Sequence, residues 1–258
     1  MLTLLIKIGQ ATLAILYQCG HIALFLGDAL RHAIRPPWYG RQLINQFIQI
    51  GYFSLPVVGL TAIFTGMVLA LQSYTGFSRF SAESAVATVV VLSMTRELGP
   101  VLAGLMVAGR IGAAMAAEIG TMRVTEQIDA LSMLSTNPIK YLVVPRIIAG
   151  MTMLPLLVIV ADIIGVMGGY SVGVYKLGFN AANYLDQTWR YLEVKDILSG
   201  LIKATCFGLI ISLMGCYHGY HSNRGAEGVG RATTNAVVSA SILILFVNYA
   251  LTILLFEK

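Results

Sequence analysis

The fold class is decided by residues 84–117, which read SAVATVVVLSMTRELGPVLAGLMVAGRIGAAMAA. This stretch is long and apolar enough to cross a bilayer, and it contains only three charged residues. Four other stretches share that character, so the sequence predicts membrane spans over about 48–73, 84–117, 147–175, 197–217 and 232–256. Because these runs are continuously apolar and lack the alternation of barrel strands, we predict that the spans are helices.

The composition of the whole chain supports this interpretation. Of its 258 residues, 57% are hydrophobic and 11% are charged, whereas a soluble domain carries about a quarter charged residues. So few charges could not cover a water-exposed surface, which excludes an ordinary soluble enzyme. Disordered chains are rich in charge and poor in aliphatic residues, which excludes disorder. We therefore predict an all-α polytopic membrane protein with five transmembrane helices.

The N-terminal segment, residues 1–40, is predicted to be an amphipathic helix lying in the membrane interface, and residues 41–258 to form the transmembrane domain. Polar residues of the N-terminal segment recur at steps of three or four, or their sums, along one stripe of a helix: Lys7, Gln10, Gln18, His21, Asp28, His32 and Arg35. Such a stripe on a moderately apolar helix is typical of an interfacial position. Residues 8–27 carry no formal charge, so a sixth span there stays open.

The distribution of charge predicts the topology. With five spans, the loops around 119–146 and 218–231 share a side with the N-terminus, and the entire net charge of +5 falls on that side. The positive-inside rule makes this side cytoplasmic, so the C-terminus is predicted to lie on the opposite side. The basic character of the chain therefore reflects topology, and nucleic-acid binding is not implied.

Charged residues inside the predicted spans form the sharper signal, because ionisable groups in lipid are costly and usually face a partner or a cavity. On an ideal helix Arg110 and Glu118 fall about 40° to either side of Arg96. Lys203 and Asn248 could face the same polar core. We predict a polar network of six residues: Arg96, Glu97, Arg110, Glu118, Lys203 and Asn248. It could consist of structural ion pairs, line or gate a substrate pathway, or relay protons.

A polar stretch over about 119–136 is predicted to form a short cytoplasmic helix between two spans. Arg123 and Glu126 can pair at a spacing of three residues, and Asn137-Pro138 ends the helix. The helix presents Glu126, Gln127 and Asp129. On the residues alone, a solvated loop and a surface for a soluble partner are both possible.

Several of these motifs resemble those of the MlaE permease family, the membrane subunits of ABC-type phospholipid transporters that work with MCE-domain proteins. The residues that carry the resemblance are RELGP at 96–100, EIGTMRVTEQIDAL at 118–131, GMVLALQ at 66–72, GRATT at 230–234, Asn137-Pro138 and Pro145-Arg146. The resemblance covers most of the chain and is weakest in the N-terminal helix and in the loop at 176–195.

The resemblance implies a set of partners. The protein would be a homodimer in a Gram-negative inner membrane, with a periplasmic MCE-domain ring above it. The cytoplasmic helix would be a coupling helix that docks on a separate ABC ATPase, through Arg123, Glu126, Gln127, Asp129 and Leu131. A STAS-domain protein would bind that ATPase. The N-terminus would be cytoplasmic and the C-terminus periplasmic.

The implied function is movement of phospholipids between the inner membrane and the MCE partner, contributing to outer-membrane lipid asymmetry. The sequence contains no G-x-x-x-x-G-K-[ST] motif, so this chain would not bind ATP through a P-loop. It is therefore predicted not to be an enzyme and to carry no cofactor, with ATP and Mg²⁺ bound by the partner ATPase.

Substrate residues follow from the same resemblance. An apolar cavity at the dimer axis would accept acyl chains and be lined by Leu69, Leu71, Gln72 and Tyr74. Arg96, Glu97 and Lys203 would form a polar network below it that holds the inner halves of the spans together. Arg96 could bind the lipid phosphate or be paired with Glu97.

Two other classes of function remain. An ion- or proton-coupled secondary transporter of an apolar substrate would need a titrating group midway through a span, where only Asp162 qualifies. An intramembrane enzyme is disfavoured because no G-x-S-x-G motif is present. His218 and His221 are spaced for metal binding but lack an apparent third ligand, so no metal site is predicted.

Overall fold

The computed structural model describes residues 2–36, 39–80 and 82–256, and every regular element in those residues is helical. The α-helices are α1 (Leu2–Ala33), α2 (Gly40–Ile50), α3 (Leu55–Phe77), α4 (Ala85–Ser93), α5 (Gly99–Val107), α6 (Ala113–Val124), α7 (Gln127–Met133), α8 (Val144–Tyr175), α9 (Ala181–Tyr191), α10 (Val194–Tyr220) and α11 (Ala226–Phe256). Short 3₁₀ turns cover Tyr52–Ser54 and Ser78–Phe80, and π-helical turns cover Met94–Leu98, Ala108–Gly112 and Ile139–Val143.

Among the residues that the structure describes, six helical stretches are long and apolar enough to cross a membrane, whereas five spans were predicted. They are Thr12–Ala33, Gly40–Phe77, Ala85–Val124, Ile139–Tyr175, Val194–Tyr220 and Ala226–Phe256. The last five cover the five predicted spans, except for Ser84, and extend beyond each of them at one end or both. The first is the N-terminal segment for which an interfacial position was predicted.

Helix α8 is the centre of the bundle and packs on α3 and α10 through glycines. A Cβ atom added at Gly66 of α3 would collide with the carbonyl oxygen of Gly165 in α8. A Cβ added at Gly208 of α10 would collide in the same way with the carbonyl oxygen of Gly150. Small residues let helix backbones touch, which is how helices associate in lipid. These three helices are therefore joined by backbone contact.

Helix α1 contacts the bundle at one end only. Phe25 packs edge-on against Tyr217 near the end of α10, with ring centroids 5.7 Å apart. The imidazole of His32 lies 3.1 Å from the Asn137 side-chain amide, just before the π-turn that leads into α8. Earlier in α1, Leu13 and Leu16 are both 67% exposed, so neither of these two side chains packs on the described part of the chain.

The loop at 176–195 contains a helix that the sequence analysis did not predict. The side chain of Asn180 caps α9 by accepting hydrogen bonds from the backbone N–H groups of Ala182 (2.9 Å) and Asn183 (3.2 Å). Helix α10 follows at once and begins with a reciprocal capping box between Glu193 and Asp196. Both caps use residue types that commonly begin helices, so the two helix starts could have been predicted from the sequence.

Candidate functional site

The side chain of Lys203 in α10 is fully buried, with 0% exposure. Its ammonium group donates three hydrogen bonds, to the Glu97 carboxylate (2.6 Å), the Arg96 carbonyl (3.0 Å) and the Thr252 hydroxyl (2.8 Å). All three of its N–H donors are therefore used, which is what allows a charge to be buried at this depth.

Glu97 completes this cluster from the π-turn before α5. Its second carboxylate oxygen accepts a hydrogen bond from the Asn248 side-chain amide at 2.8 Å, and its first also accepts from Thr252 at 2.9 Å. The side-chain oxygen of Asn248 is buried and has no hydrogen-bond partner among the residues described. We call Glu97, Lys203, Asn248 and Thr252 the buried ion cluster; it ties α10 and α11 to the second span.

The other members of the predicted network lie elsewhere. Arg96 binds Asp196 through both its Nε and Nη2 atoms, each 2.7 Å from Oδ1. Glu118 pairs with Arg146 at 2.8 Å. Arg110 reaches Ser54. Neighbouring residues of a helix point about 100° apart, and two π-turns alter the angular spacing along this span. The prediction that Arg96, Arg110 and Glu118 share one side of an ideal helix is therefore wrong, and Arg96 does not pair with Glu97.

The buried ion cluster also differs from the prediction in depth. Lys203 is in the first half of α10, roughly 14 Å along the axis from Val194. Thr252 is in the last turns of α11, four residues before Phe256. Both residues therefore lie toward the end of the bundle at which α10 begins and α11 ends. The prediction had placed the network toward the other end, in the inner halves of the spans.

An open groove runs along α3 and holds two of the predicted substrate residues. Its volume is about 380 Å³, and its lining is Phe64, Thr65, Val68, Leu69, Gln72 and Leu98. Leu71 and Tyr74 are not part of this lining. Tyr74 packs instead against Phe179, with ring centroids 5.8 Å apart. The groove is apolar except for two uncharged polar side chains, so it suits a hydrocarbon chain.

The predicted cytoplasmic helix is broken in two. Glu126 has a left-handed backbone conformation (φ 58°), which ends α6 at Val124 and starts α7 at Gln127. Because the helix breaks there, Arg123 does not form the predicted pair with Glu126. It binds Asp129 across the break instead, at 2.8 Å. We call residues 119–136 the α6–α7 turn.

The α6–α7 turn is exposed at most of the positions predicted for partner binding. Glu126, Gln127 and Asp129 are exposed, whereas Leu131 packs partly on the core. Met133 and Leu134, which were not predicted, are 89% and 76% exposed in the same turn. Two apolar residues in an otherwise polar segment could have indicated this exposed surface from the sequence.

A second cavity, also missed, lies between α4 and α9 at the opposite end of the bundle. Its volume is about 300 Å³, and most of its lining residues have polar side chains: Glu83, Ser84, Ala87, Phe179, Asn180, Asn183, Tyr184, Asp186 and Gln187. Burial raises the pKa of Tyr184 to about 12, so its hydroxyl stays neutral.

The two histidines considered for a metal make separate hydrogen bonds. His218 Nε2 lies 3.0 Å from the Ser239 hydroxyl, and His221 Nδ1 lies 2.9 Å from the Tyr217 carbonyl. In the part of the chain that the structure describes, no three His, Cys, Asp or Glu residues are grouped for metal binding.

Comparison with known proteins identifies the family. Residues 43–254 match the family described as Permease MlaE. The chain belongs to the MlaE permease family. The resemblance found in the motifs is thereby confirmed, and the protein is a multi-span membrane protein of this family. The matched range contains every residue of the buried ion cluster, the groove and the α6–α7 turn, and leaves α1 outside.

Three relatives from different organisms illustrate how similar the chain is to known proteins. A Rickettsia felis protein named as a probable ABC transporter permease is 62% identical over 97% of both chains. The Haemophilus influenzae intermembrane phospholipid transport system permease protein MlaE is 38% identical, over 83% of this chain and 82% of its own. The chloroplastic Arabidopsis thaliana protein TRIGALACTOSYLDIACYLGLYCEROL 1 is 35% identical, over 92% of this chain and 67% of its own.

Proposed function

We propose that this chain is the permease subunit of an ABC-type transporter that moves phospholipids between a Gram-negative inner membrane and a periplasmic MCE-domain protein. In that role it contributes to outer-membrane lipid asymmetry. The observation that carries the proposal is the open groove on α3 in a chain of this family. Leu69 and Gln72 line it, and an exposed apolar surface inside a span is where an acyl chain can bind.

The proposed assembly is a homodimer in which the α3 grooves of two copies face a common cavity. A separate ABC ATPase binds ATP and Mg²⁺, and a STAS-domain protein binds that ATPase. The α6–α7 turn is the docking element: it projects Glu126, Gln127 and Asp129 together with the exposed apolar tip at Met133 and Leu134. Apolar anchors surrounded by charges are typical of protein interfaces.

For the topology we propose five spans, an interfacial α1, a cytoplasmic N-terminus and a periplasmic C-terminus. The contacts of α1 support this arrangement, because Phe25 and His32 both reach the same end of the bundle. A spanning helix that belonged to the bundle would contact it along its whole length. The rule of positive cytoplasmic loops places that end, which carries the α6–α7 turn, in the cytoplasm.

A photo-crosslinking experiment tests the substrate assignment. A crosslinker placed at Leu69 should capture phospholipid in membranes. One at Leu245 of α11, which is 55% exposed, is the matched control and should give only non-specific labelling. Equal labelling at the two positions would remove the claim of a substrate groove.

Charge reversal tests the ATPase contact. Glu126→Arg with Asp129→Arg should abolish co-purification of the ATPase while membrane insertion is unchanged, because the docking surface would change sign. Glu83→Arg with Asp186→Arg, at the opposite end, is the control and should leave the complex intact. Retention of the ATPase by the first double variant would contradict the coupling assignment.

A secondary transporter is kept as the second candidate on the strength of Asp162. One of its carboxylate oxygens is buried and has no hydrogen-bond partner among the described residues. Asp162→Asn should leave ATP-dependent lipid movement in proteoliposomes unchanged if the ABC assignment is right. Loss of lipid movement in this variant, together with dependence of the wild type on a pH gradient, would favour the second candidate.

A further inference from the structure

Arg110, in the second span, is a cation without a carboxylate partner among the described residues. Three other cations form ion pairs: Arg96 with Asp196, Lys203 with Glu97 and Arg146 with Glu118. Within residues 2–36, 39–80 and 82–256, Arg110 forms no salt bridge. Arginine stays charged and is costly to place in a membrane without a counter-charge. Its counter-ion is therefore expected to come from outside this chain.

The contacts of Arg110 leave most of its guanidinium free to bind a ligand. One nitrogen, Nη1, donates to the Ser54 hydroxyl at 2.8 Å and lies 3.4 Å from the Gln49 carbonyl. The guanidinium carbon is 6.0 Å from the centre of the Phe53 ring. Nε and Nη2 have no acceptor among the described residues, and the side chain is only half-buried. Two adjacent N–H donors of a guanidinium match two oxygens of a phosphate.

The depth of Arg110 matches that of a lipid headgroup. Its contact Ser54 immediately precedes α3, which runs for 23 residues to Phe77. At 1.5 Å per residue this is roughly 34 Å, close to the hydrocarbon thickness of about 30 Å. With Phe77 at one surface of the hydrocarbon layer, Ser54 and Arg110 lie at the other surface.

A continuous apolar face leads away from Arg110 along α3. Val57, Leu60, Phe64 and Val68 follow one another at steps of three or four residues and are 40%, 59%, 60% and 55% exposed. Residues with that spacing share one face of a helix. Phe64 and Val68 also line the groove that contains Leu69. An acyl chain lying on this face would reach the groove from Arg110.

We propose that Arg110 binds the phosphodiester of a phospholipid whose acyl chains lie along the exposed face of α3. This inference rests on the proposed function and adds the site at which the headgroup is held. Arg96, the residue that the sequence suggested for this role, has two of its nitrogens occupied by Asp196.

The test is a set of lipid titrations on the detergent-purified permease–ATPase complex, read by native mass spectrometry. Three probes are compared: phosphatidylethanolamine, diacylglycerol with the same acyl chains, and inorganic phosphate. Arg110→Gln should weaken phosphatidylethanolamine binding about tenfold, the effect of losing a charge-assisted hydrogen bond, and leave diacylglycerol binding unchanged. Arg110→Lys should give an intermediate loss. Arg41→Gln, which removes an exposed cation of α2, should change neither.

The outcomes separate this inference from the proposed function. Wild-type protein that binds neither lipid overturns both. Wild-type binding of phosphatidylethanolamine that Arg110→Gln leaves intact overturns the Arg110 site alone. Inorganic phosphate that binds as tightly as the lipid and is lost in Arg110→Gln also overturns it, since the site would then serve a free anion. If Arg110→Gln loses both lipids, Arg110→Lys decides: selective weakening of phosphatidylethanolamine supports the site, and equal weakening overturns it.

Discussion

Two ion pairs of this permease have nearly the same geometry in opposite surroundings. Lys203 and Glu97 are 2.6 Å apart, and the lysine side chain is fully buried. Arg123 and Asp129 are 2.8 Å apart, but their side chains are 42% and 60% exposed. The Glu97 side chain is 36% exposed, so the first pair is shielded from water and salt on the lysine side only, whereas both members of the second pair are open to screening. Distance alone therefore says little about what each pair contributes.

Their hydrogen bonds show the same contrast. The buried pair is held by Thr252 and Asn248 in addition to the ionic contact. The exposed pair spans the left-handed break at Glu126 and has no such support in the described residues. The first pair fixes three spans against one another, and the second can open and re-form with a partner at little cost.

The largest effect is expected from Lys203→Met, which leaves the Glu97 carboxylate without its counter-charge. Removing one partner of a buried ion pair costs about 3–5 kcal/mol, so the folded protein should become much less stable. The measurement is thermal unfolding in detergent together with the yield of monodisperse protein.

Lys195→Met is the matched control, because Lys195 is an exposed lysine at the start of the same helix. Its loss should cost less than about 1 kcal/mol, since only an exposed contact with the Phe256 ring is removed. Adding Glu97→Gln to Lys203→Met should restore part of the stability. Similar unfolding temperatures for the two lysine variants would refute the distinction between buried and exposed cations.

An intermediate effect is expected from Asn248→Leu, which removes one hydrogen bond to Glu97 and leaves the Lys203 pair in place. The loss should be about 1–3 kcal/mol, the cost of leaving a partly buried charged acceptor short of one donor. Thermal unfolding measures it. Asn235→Leu makes the same substitution at an exposed position of α11 and should have little effect, so equal losses would argue against the role of Asn248.

The smallest effect on stability is expected from Asp129→Asn, because an exposed ion pair contributes less than about 1 kcal/mol. Its contribution should fall further in high salt, since the charges are screened. Unfolding temperatures of wild type and variant at low and high salt provide the measurement. A loss as large as that of Asn248→Leu, insensitive to salt, would mean that the α6–α7 turn is structurally rigid.

Much of the architecture could be predicted because it depends on local composition. The spacing between charged residues located five helical stretches that the structure contains, and the run around Asp129 indicated a polar helix. Helix α9 was missed although Asn180 is a standard capping residue, because the loop was judged by its charge content alone. The break at Glu126 could not be predicted, since nothing in that residue favours a left-handed backbone.

The partners of the intramembrane charges could not be predicted because they depend on contacts between distant segments. Arg96 binds Asp196, and Lys203 binds Glu97, each across about a hundred residues of chain. The π-turns add an angular error that an ideal helix does not contain. Leu69 and Gln72 line an open groove, whereas Tyr74 is packed against Phe179, a contact across about a hundred residues that the sequence does not show.

The glycine contacts of α8 have a mechanical consequence. Helices that touch through side chains can slide past one another, because rotamers change as they move. Where Gly66 meets Gly165 and Gly150 meets Gly208, backbone lies on backbone, and no rotamer can take up the displacement. Helices α3, α8 and α10 therefore form a rigid frame. Changes of shape therefore fall to the elements around this frame, such as α1 and the α6–α7 turn.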